Sequence, residues 1–341
     1  MSIAISGSSI TFPDQTQMST ATGGSFRNRI INGDMRIDQR NAGASVNPAN
    51  ADVTLDRWGS NMYPNASKYT VVQSSTAPVG FNSSLLVTSS SSYSVGATDI
   101  YTQFQWVEGF NTADLGWGTA NAKTVTVSFW VRSSLTGTFG GALFNSDGTR
   151  SYPFTYTINS ANTFEQKTIT IAGDTSGTWL TTNGRGIAVA FGLGVGATYS
   201  GTAGAWAAAS YYSATGATSV VGTNGATFYI TGVQLEAGST ATEFERRPIG
   251  TELALCQRYF EITKAGIRAA RESGNLLGAN IPFKVTKRAV PTMTRINDGG
   301  SSGISFQGFI NTDEESSSIQ WTVSTTNAFV YNATSTASAE L

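Results

Sequence analysis

The sequence predicts an all-β fold, and three observations carry that reading. Apolar stretches are short and rarely recur at helical spacing. Thirty-seven glycines, with dense Ser, Thr and Asn, cut the chain into many turn-bounded pieces. Several of those pieces alternate apolar and polar residues with the period of two that a half-buried strand requires. Short strands at this density point to a jelly roll or another β-sandwich.

Residues 1–27 read as a separate element, rich in Ser, Thr and Gly, in which Ile3, Ile5, Ile10 and Phe12 alternate like strand residues. Too small to make a core alone, this segment is expected to order against partner chains. In RIINGDMRIDQR (29–40) the Asn32-Gly33 dipeptide lies between two short apolar runs and predicts a hairpin. The clearest strand is KTVTVSFWVRSS (123–134). It puts Val125, Val127, Phe129 and Val131 on one face, and Thr124, Thr126, Ser128, Trp130 and Arg132 on the other.

Similar runs occur at SLLVTSS (84–90), DIYTQFQWVEG (99–109), FEQKTITIAG (164–173), RGIAVAFGLG (185–194) and ATFYITGVQLE (226–236). In the second of these, Trp106 shares parity with Ile100 and Phe104, which assigns it to the core together with Trp58. The uncharged stretch from Gly192 to Tyr212, rich in Gly and Ala, reads as a long loop. After Pro248, TELALCQRYFEIT (251–263) brings Leu253, Cys256, Gln257 and Phe260 to one face of a short helix. The boundary is placed near 248, giving segments 1–27, 28–248 and 249–341, the last a smaller β-rich domain. No fixed-period repeat is present, which disfavours a β-helix or solenoid.

Composition excludes several functions. Charged residues are 13% of the chain and the net charge is −1, so the basic surplus of a nucleic-acid binder is missing. There is no histidine, which removes Ser-His and Cys-His catalysis and the commonest transition-metal ligand. A single cysteine, Cys256, excludes an intrachain disulfide. No apolar run approaches the roughly 18 residues of a membrane span, and MSIAISGSS offers no basic or apolar signal region. The expectation is assembly in a cytoplasm without membrane insertion, with toughness coming from oligomerisation.

Several strings match a known family: ITFPDQTQMSTA (10–21), NRIINGDMRIDQR (28–40), LDRW (55–58), LGWGTANAKTVTVSFWVRSS (115–134), FYITGVQLEAGSTATEFERRP (228–248), ELALCQRYF (252–260) and KRAVPTMT (287–294). In order and spacing they resemble phage tail-fibre and related virion-surface proteins, whose central region is similar to the jelly roll of carbohydrate-binding modules. The resemblance runs from about residue 10 to 294. It implies a place on the virion, often as a homotrimer, with residues 1–27 attached to other virion proteins and a host-surface glycan as the target of multivalent adhesion. It supplies no catalytic residue, and the chain is expected not to be an enzyme. The alternatives are an architectural head-decoration, neck or collar fibre without a receptor and, further off, a tail-borne glycan depolymerase.

A sugar site needs flat aromatic faces with polar groups at the margin. Trp206, Tyr211 and Tyr212, in the Gly/Ala-rich loop, are candidates for glycan contact or for packing between protomers. Trp130 is a further candidate on the face opposite Val127. A depolymerase would need paired carboxylates, and Asp147, Glu165 and Glu108 have no spacing that pairs them. No cofactor is expected beyond a structural calcium, for which Asp34 and Asp38 are the oxygen donors considered; the run Thr312-Asp313-Glu314-Glu315 reads rather as a solvated loop. The GLGVG run (192–196) lacks the context of a phosphate loop.

Overall fold

The computed structural model describes residues 4–6, 9–11, 17–19, 26–268, 272–325 and 328–341. The first three stretches are β1 (Ala4–Ser6), β2 (Ser9–Thr11) and β3 (Gln17–Ser19), an antiparallel sheet in which Ile5 lies opposite Ile10 and Ile10 opposite Met18. Ile3 and Phe12 lie outside the described residues.

The next thirteen strands are β4 (Asp52–Leu55), β5 (Trp58–Tyr63), β6 (Tyr69–Ser74), β7 (Ser84–Ser89), β8 (Ile100–Glu108), β9 (Val125–Ser133), β10 (Gly137–Phe144), β11 (Ser151–Ile158), β12 (Glu165–Ile171), β13 (Arg185–Val195), β14 (Ser200–Gly201), β15 (Ser213–Ala214) and β16 (Thr227–Ala237). Eleven of them form two antiparallel sheets, ordered β11-β10-β13-β8-β5-β4 and β12-β9-β16-β7-β6. Face to face, these make a jelly-roll β-sandwich. Every long run read as a strand in the sequence is one.

The core between the sheets follows the predicted alternation on β9, where Val125, Val127, Phe129 and Val131 are fully buried. Phe129 packs edge-on against Tyr156 and Phe191 at 5.0 Å, a geometry that places the positive ring edge on the neighbour's negative face. On β8 the parity is the reverse of the expectation. Tyr101, Gln103, Gln105 and Val107 point inward, while Phe104 and Trp106 point outward.

The two inward glutamines are hydrogen-bonded, Gln105 through both its amide oxygen and nitrogen, Gln103 through its nitrogen alone. Gln103 Nε2 donates to Ser60 Oγ (2.7 Å). Gln105 accepts from the Ile31 N–H and donates to the Ile31 carbonyl, both at 2.8 Å, thereby serving the irregular segment that precedes the first sandwich strand. Trp58 is in the core, as the sequence predicts.

No hairpin forms at 29–40. Asn32 adopts φ 55°, its side chain accepts from Ile37 N–H and donates to Ile37 O, and Trp58 Nε1 donates to its carbonyl, folding the segment into a compact irregular loop. That loop lies against α1 (Ile249–Gln257), shorter than the helix expected over 251–263: it ends at Gln257, and Phe260, expected on its apolar face, opens the next strand instead. Ile31, Ile37, Cys256 and Tyr259 form a shared buried cluster.

Beyond α1 come β17 (Phe260–Arg268), β18 (Leu276–Pro282), β19 (Thr292–Asn297), β20 (Gly300–Ser302), β21 (Ile304–Ile310), β22 (Ser316–Val323) and β23 (Phe329–Ser338). They make two small sheets, β17-β23-β19 with β20 on β23, and β18-β22-β21. Ile281, Ile319, Trp321 and Val330 are buried among them. A buried polar junction ties these sheets to the sandwich. Glu108 takes Arg258 in a forked pair (2.9 and 2.6 Å) and the Tyr259 hydroxyl at 2.6 Å. Glu340 bridges Arg40 (2.7 Å) and Arg57. Asn183 and Arg288 exchange hydrogen bonds through their side chains and carbonyls.

Candidate functional site

The two outer faces of the sandwich are finished differently. On the six-stranded sheet, Phe144, Ala188 and Trp106 stand in register across β10, β13 and β8. The Gly/Ala-rich segment folds back over this face. Gly140 and Gly192 both lie beneath Ser213, and a β-carbon on Gly192 would come within 2.6 Å of the Ser213 hydroxyl. Of the GLGVG glycines, Gly192 makes room for β15, Gly194 for Val221 and Ser219, and Gly196 for the carbonyls of Gly96 and Ala97.

Tyr212 packs edge-on against Phe144 at 4.9 Å and against Tyr199 at 5.8 Å, and the Tyr211 ring covers Gly201. Trp206 closes a cluster with Trp117, Trp179 and Tyr152 at centroid distances of 5.2 to 5.5 Å, and its indole N–H donates to Ala172 O at 2.7 Å. The loop expected between protomers or facing out packs on its own sandwich. Trp106, assigned to the core, is instead buried on this outer face by Phe144 and the Arg185 guanidinium, with Leu341 packed against the same cluster.

The five-stranded sheet keeps an open face. Val72, Leu86, Tyr229 and Arg132 stand opposite one another across β6, β7, β16 and β9, and Phe164, just before β12, extends the row. All five are half-buried. The Arg132 guanidinium lies 5.0 Å from the Tyr229 centroid and 5.8 Å from that of Phe164, and these two rings are edge-on at 6.1 Å.

One step along β9 is Trp130, half-buried, flanked by Thr231 on β16 and by the exposed Gln166 on β12. Phe81 and Phe244 meet edge-on at 5.2 Å beside it, with the exposed Arg246 stacked 4.6 Å from the Phe81 centroid. The strand bulge at Thr231/Gln234 makes room for this packing, because Gly232 takes φ 61° there. Of the four aromatic candidates read from the sequence, all half-buried, the structure leaves Trp130 on an open sheet face and sets the other three into the loop packing. Arg132, Tyr229 and Phe164 were missed. The signal for them was present: Arg132 has the outward parity of Trp130, and Tyr229 the outward parity of its own strand.

The carboxylates weighed for catalysis are each engaged elsewhere. Glu108 is held by Arg258 and Tyr259, Glu165 by Asn159, Ser160 and Lys167, and Asp147 by Thr149. Asp34 pairs with Arg36, and Asp38 closes a turn by accepting from the N–H groups of Asn41 (3.0 Å) and Gly43 (2.7 Å). Asp313 likewise accepts from Glu315 and Ser316 N–H, and these bonds hold its carboxyl below the usual range. Among the described residues, no group of three or more His, Cys, Asp or Glu stands where it could hold a metal ion.

A cavity of about 970 Å³ opens at one end of the sandwich between Phe26, Arg29, Phe110, Asp114, Glu236 and Arg247. Most of its charges answer one another. Arg29 forks onto Asp114 with two bonds of 2.7 Å, Arg247 faces Glu252 at 3.3 Å, and Glu236 accepts from Thr242.

No protein-family model matches the chain, and no curated protein matches it. Among solved structures it is similar to a candidate sugar binding protein from Bacteroides thetaiotaomicron, at 10% identity and TM-score 0.38 over 62% of this chain and 100% of that one. It is similar also to a family 11 carbohydrate-binding module from Clostridium thermocellum, at 11% identity and TM-score 0.30 over 58% of this chain and 97% of the module. The enzymatically active domain of bacteriophage CBA120 tailspike protein 4 is a third, at 10% identity and TM-score 0.32; the match spans 62% of this chain and 21% of that protein. At these scores the sandwich rests on its own strand pairing.

Proposed function

We propose that this chain is a non-catalytic adhesive subunit of a phage particle, which holds host-surface glycan on the outer face of its five-stranded sheet. The observation that carries the reading is the contrast between the two outer faces. The chain covers one with its own residues 196–219, and on the other it leaves Trp130, Tyr229, Phe164 and Leu86 half-exposed in adjacent rows. Flat rings beside Gln166 and Arg132 suit a pyranose, whose axial C–H groups pack on a π-face while its hydroxyls reach polar groups at the edge. The place on a virion comes from the resemblance of residues 10–294 to tail-fibre proteins.

Single sheet-face sites bind weakly, and repetition of the subunit would supply avidity. A homotrimer fits the C-terminal sheets, where Leu276, Val290, Ile296 and Tyr331 are each more than half exposed. The test is binding of the full chain to a panel of bacterial surface glycans, with Trp130→Ala beside it and the mass of the assembly measured in solution. Retention of a glycan that Trp130→Ala releases supports the reading. Equal retention by both proteins, or by neither, overturns the assignment to this face.

A further inference from the structure

Resting on that reading, we infer that the five-stranded face selects glycans bearing an anionic substituent, a carboxylate or a phosphate, and that Arg132 receives it with Arg246 in support. Arg132 lies within the row of half-exposed groups, its guanidinium beside both Tyr229 (5.0 Å) and Phe164 (5.8 Å). Its Nε is buried and has no hydrogen-bond partner. Among the described residues no acid pairs with either Arg132 or Arg246, although eleven ion pairs occur elsewhere in the molecule.

Of the nearby acids, Glu245 is taken by the Asn28 N–H and by Arg247, and two more are turned away or taken. Glu165 stands on the opposite side of β12 from Gln166 and binds Lys167. Glu236, on the outer face, lies opposite Thr126 rather than Arg132, where Thr242 and Gln234 occupy its oxygens. Among the described residues, neither cation of the open face is therefore paired with an acid.

The two rings flank the Arg132 guanidinium without consuming its N–H donors, which leaves them for the paired N–H···O bonds of a two-oxygen acid. Trp130, one row along, supplies the stacking surface for the sugar that carries the acid. A neutral sugar would use the rings and leave the charge unanswered.

The experiment measures binding of the full chain to hexagalacturonate, to its methyl ester, which has the same backbone without charge, and to a glycerol-phosphate oligomer. Expected is binding of at least one acidic probe about tenfold tighter than the ester, the size of one charge-assisted contact. Arg132→Gln brings the acidic probe to the level of the ester, Arg132→Lys restores part of the difference, and rising salt erodes it. A carboxylate and a phosphate source are told apart by which of the two acidic probes binds. Equal affinity for ester and acid, both lost in Trp130→Ala, overturns the charge selection and leaves glycan adhesion standing. Absence of binding by all three probes and by the neutral members of the glycan panel overturns both. Tryptophan fluorescence and thermal unfolding of Arg132→Gln confirm that the variant is folded.

Discussion

Gly232 lies directly beneath the ring of Phe81: a β-carbon at this position would stand 2.7 Å from the ring's far carbon and 3.1 Å from Cδ1 of Trp130. With φ at 61°, the backbone is also in the left-handed region that disfavours other residues. Gly232→Ala should cost about 1–3 kcal/mol and displace Phe81 and Trp130. Denaturant unfolding checks the first, and the Trp130 contribution to near-ultraviolet circular dichroism the second. A variant as stable as the parent would show that the bulge relaxes without strain.

Trp206 separates packing from binding. Its indole completes the Trp117/Trp179/Tyr152 cluster and caps the Ala172 carbonyl. Trp206→Ala should therefore destabilise by roughly 2–4 kcal/mol while leaving glycan affinity unchanged in the folded fraction. Trp130→Ala should do the reverse. The pair is read by urea titration and by a binding isotherm on the same preparations.

Asp56 gives the sandwich a pH dependence of definite sign. Burial pushes its carboxyl up to about 6, against the hydrogen bonds from Gln39 that favour the charged form. Because the folded value lies above the unfolded one, the folded state takes the proton more readily. This group's contribution is thus most favourable below about pH 4 and is lost as pH rises to about 6, by roughly 3 kcal/mol in all. Unfolding free energies measured from pH 4 to 7 should fall more steeply in the parent than in Asp56→Asn. Parallel curves would place the titration elsewhere.

Glu340 is held by two arginines, and Arg57 among them is almost fully buried, with its guanidinium 3.5 Å from the Tyr259 centroid. Glu340→Ala leaves that cation without its acid and should cost about 3 kcal/mol. The loss should appear as a split of one calorimetric transition into two, since the contact joins the sandwich to the sheets of residues 260–338. Glu340→Gln, which keeps hydrogen bonding, should lose less.

The alternation that fixed β9, β13 and β16 was legible because their inward residues are apolar, whereas the same side of β12 mixes Glu165 and Lys167 with Ile169 and Ile171. On β8 it misled. The inward residues there include Gln103 and Gln105, and the outward ones Phe104 and Trp106, since the sheet is covered on both sides and its inner side must satisfy the backbone of Ile31. Asn32-Gly33 is a turn, but Asn32 meets Ile37 through its side chain and Trp58 Nε1 takes its carbonyl, so no backbone ladder closes a hairpin. The open outer face had the same difficulty. Trp130 was visible from one strand, whereas the row through Leu86, Tyr229 and Phe164 exists only once four strands are placed side by side.

The junction at Glu108, Asn183 and Glu340 has a mechanical meaning. One covalent crossing, at residues 248–249, joins the sandwich to α1 and the C-terminal sheets. Beside it run the Arg258 fork, the Asn183–Arg288 exchange and the Glu340 bridge, each anchored at a different point of the six-stranded sheet or of the loops around it. A pull on the C-terminal strands is shared among these contacts in parallel, so the sandwich is loaded as a block and the single peptide crossing is spared the role of a hinge.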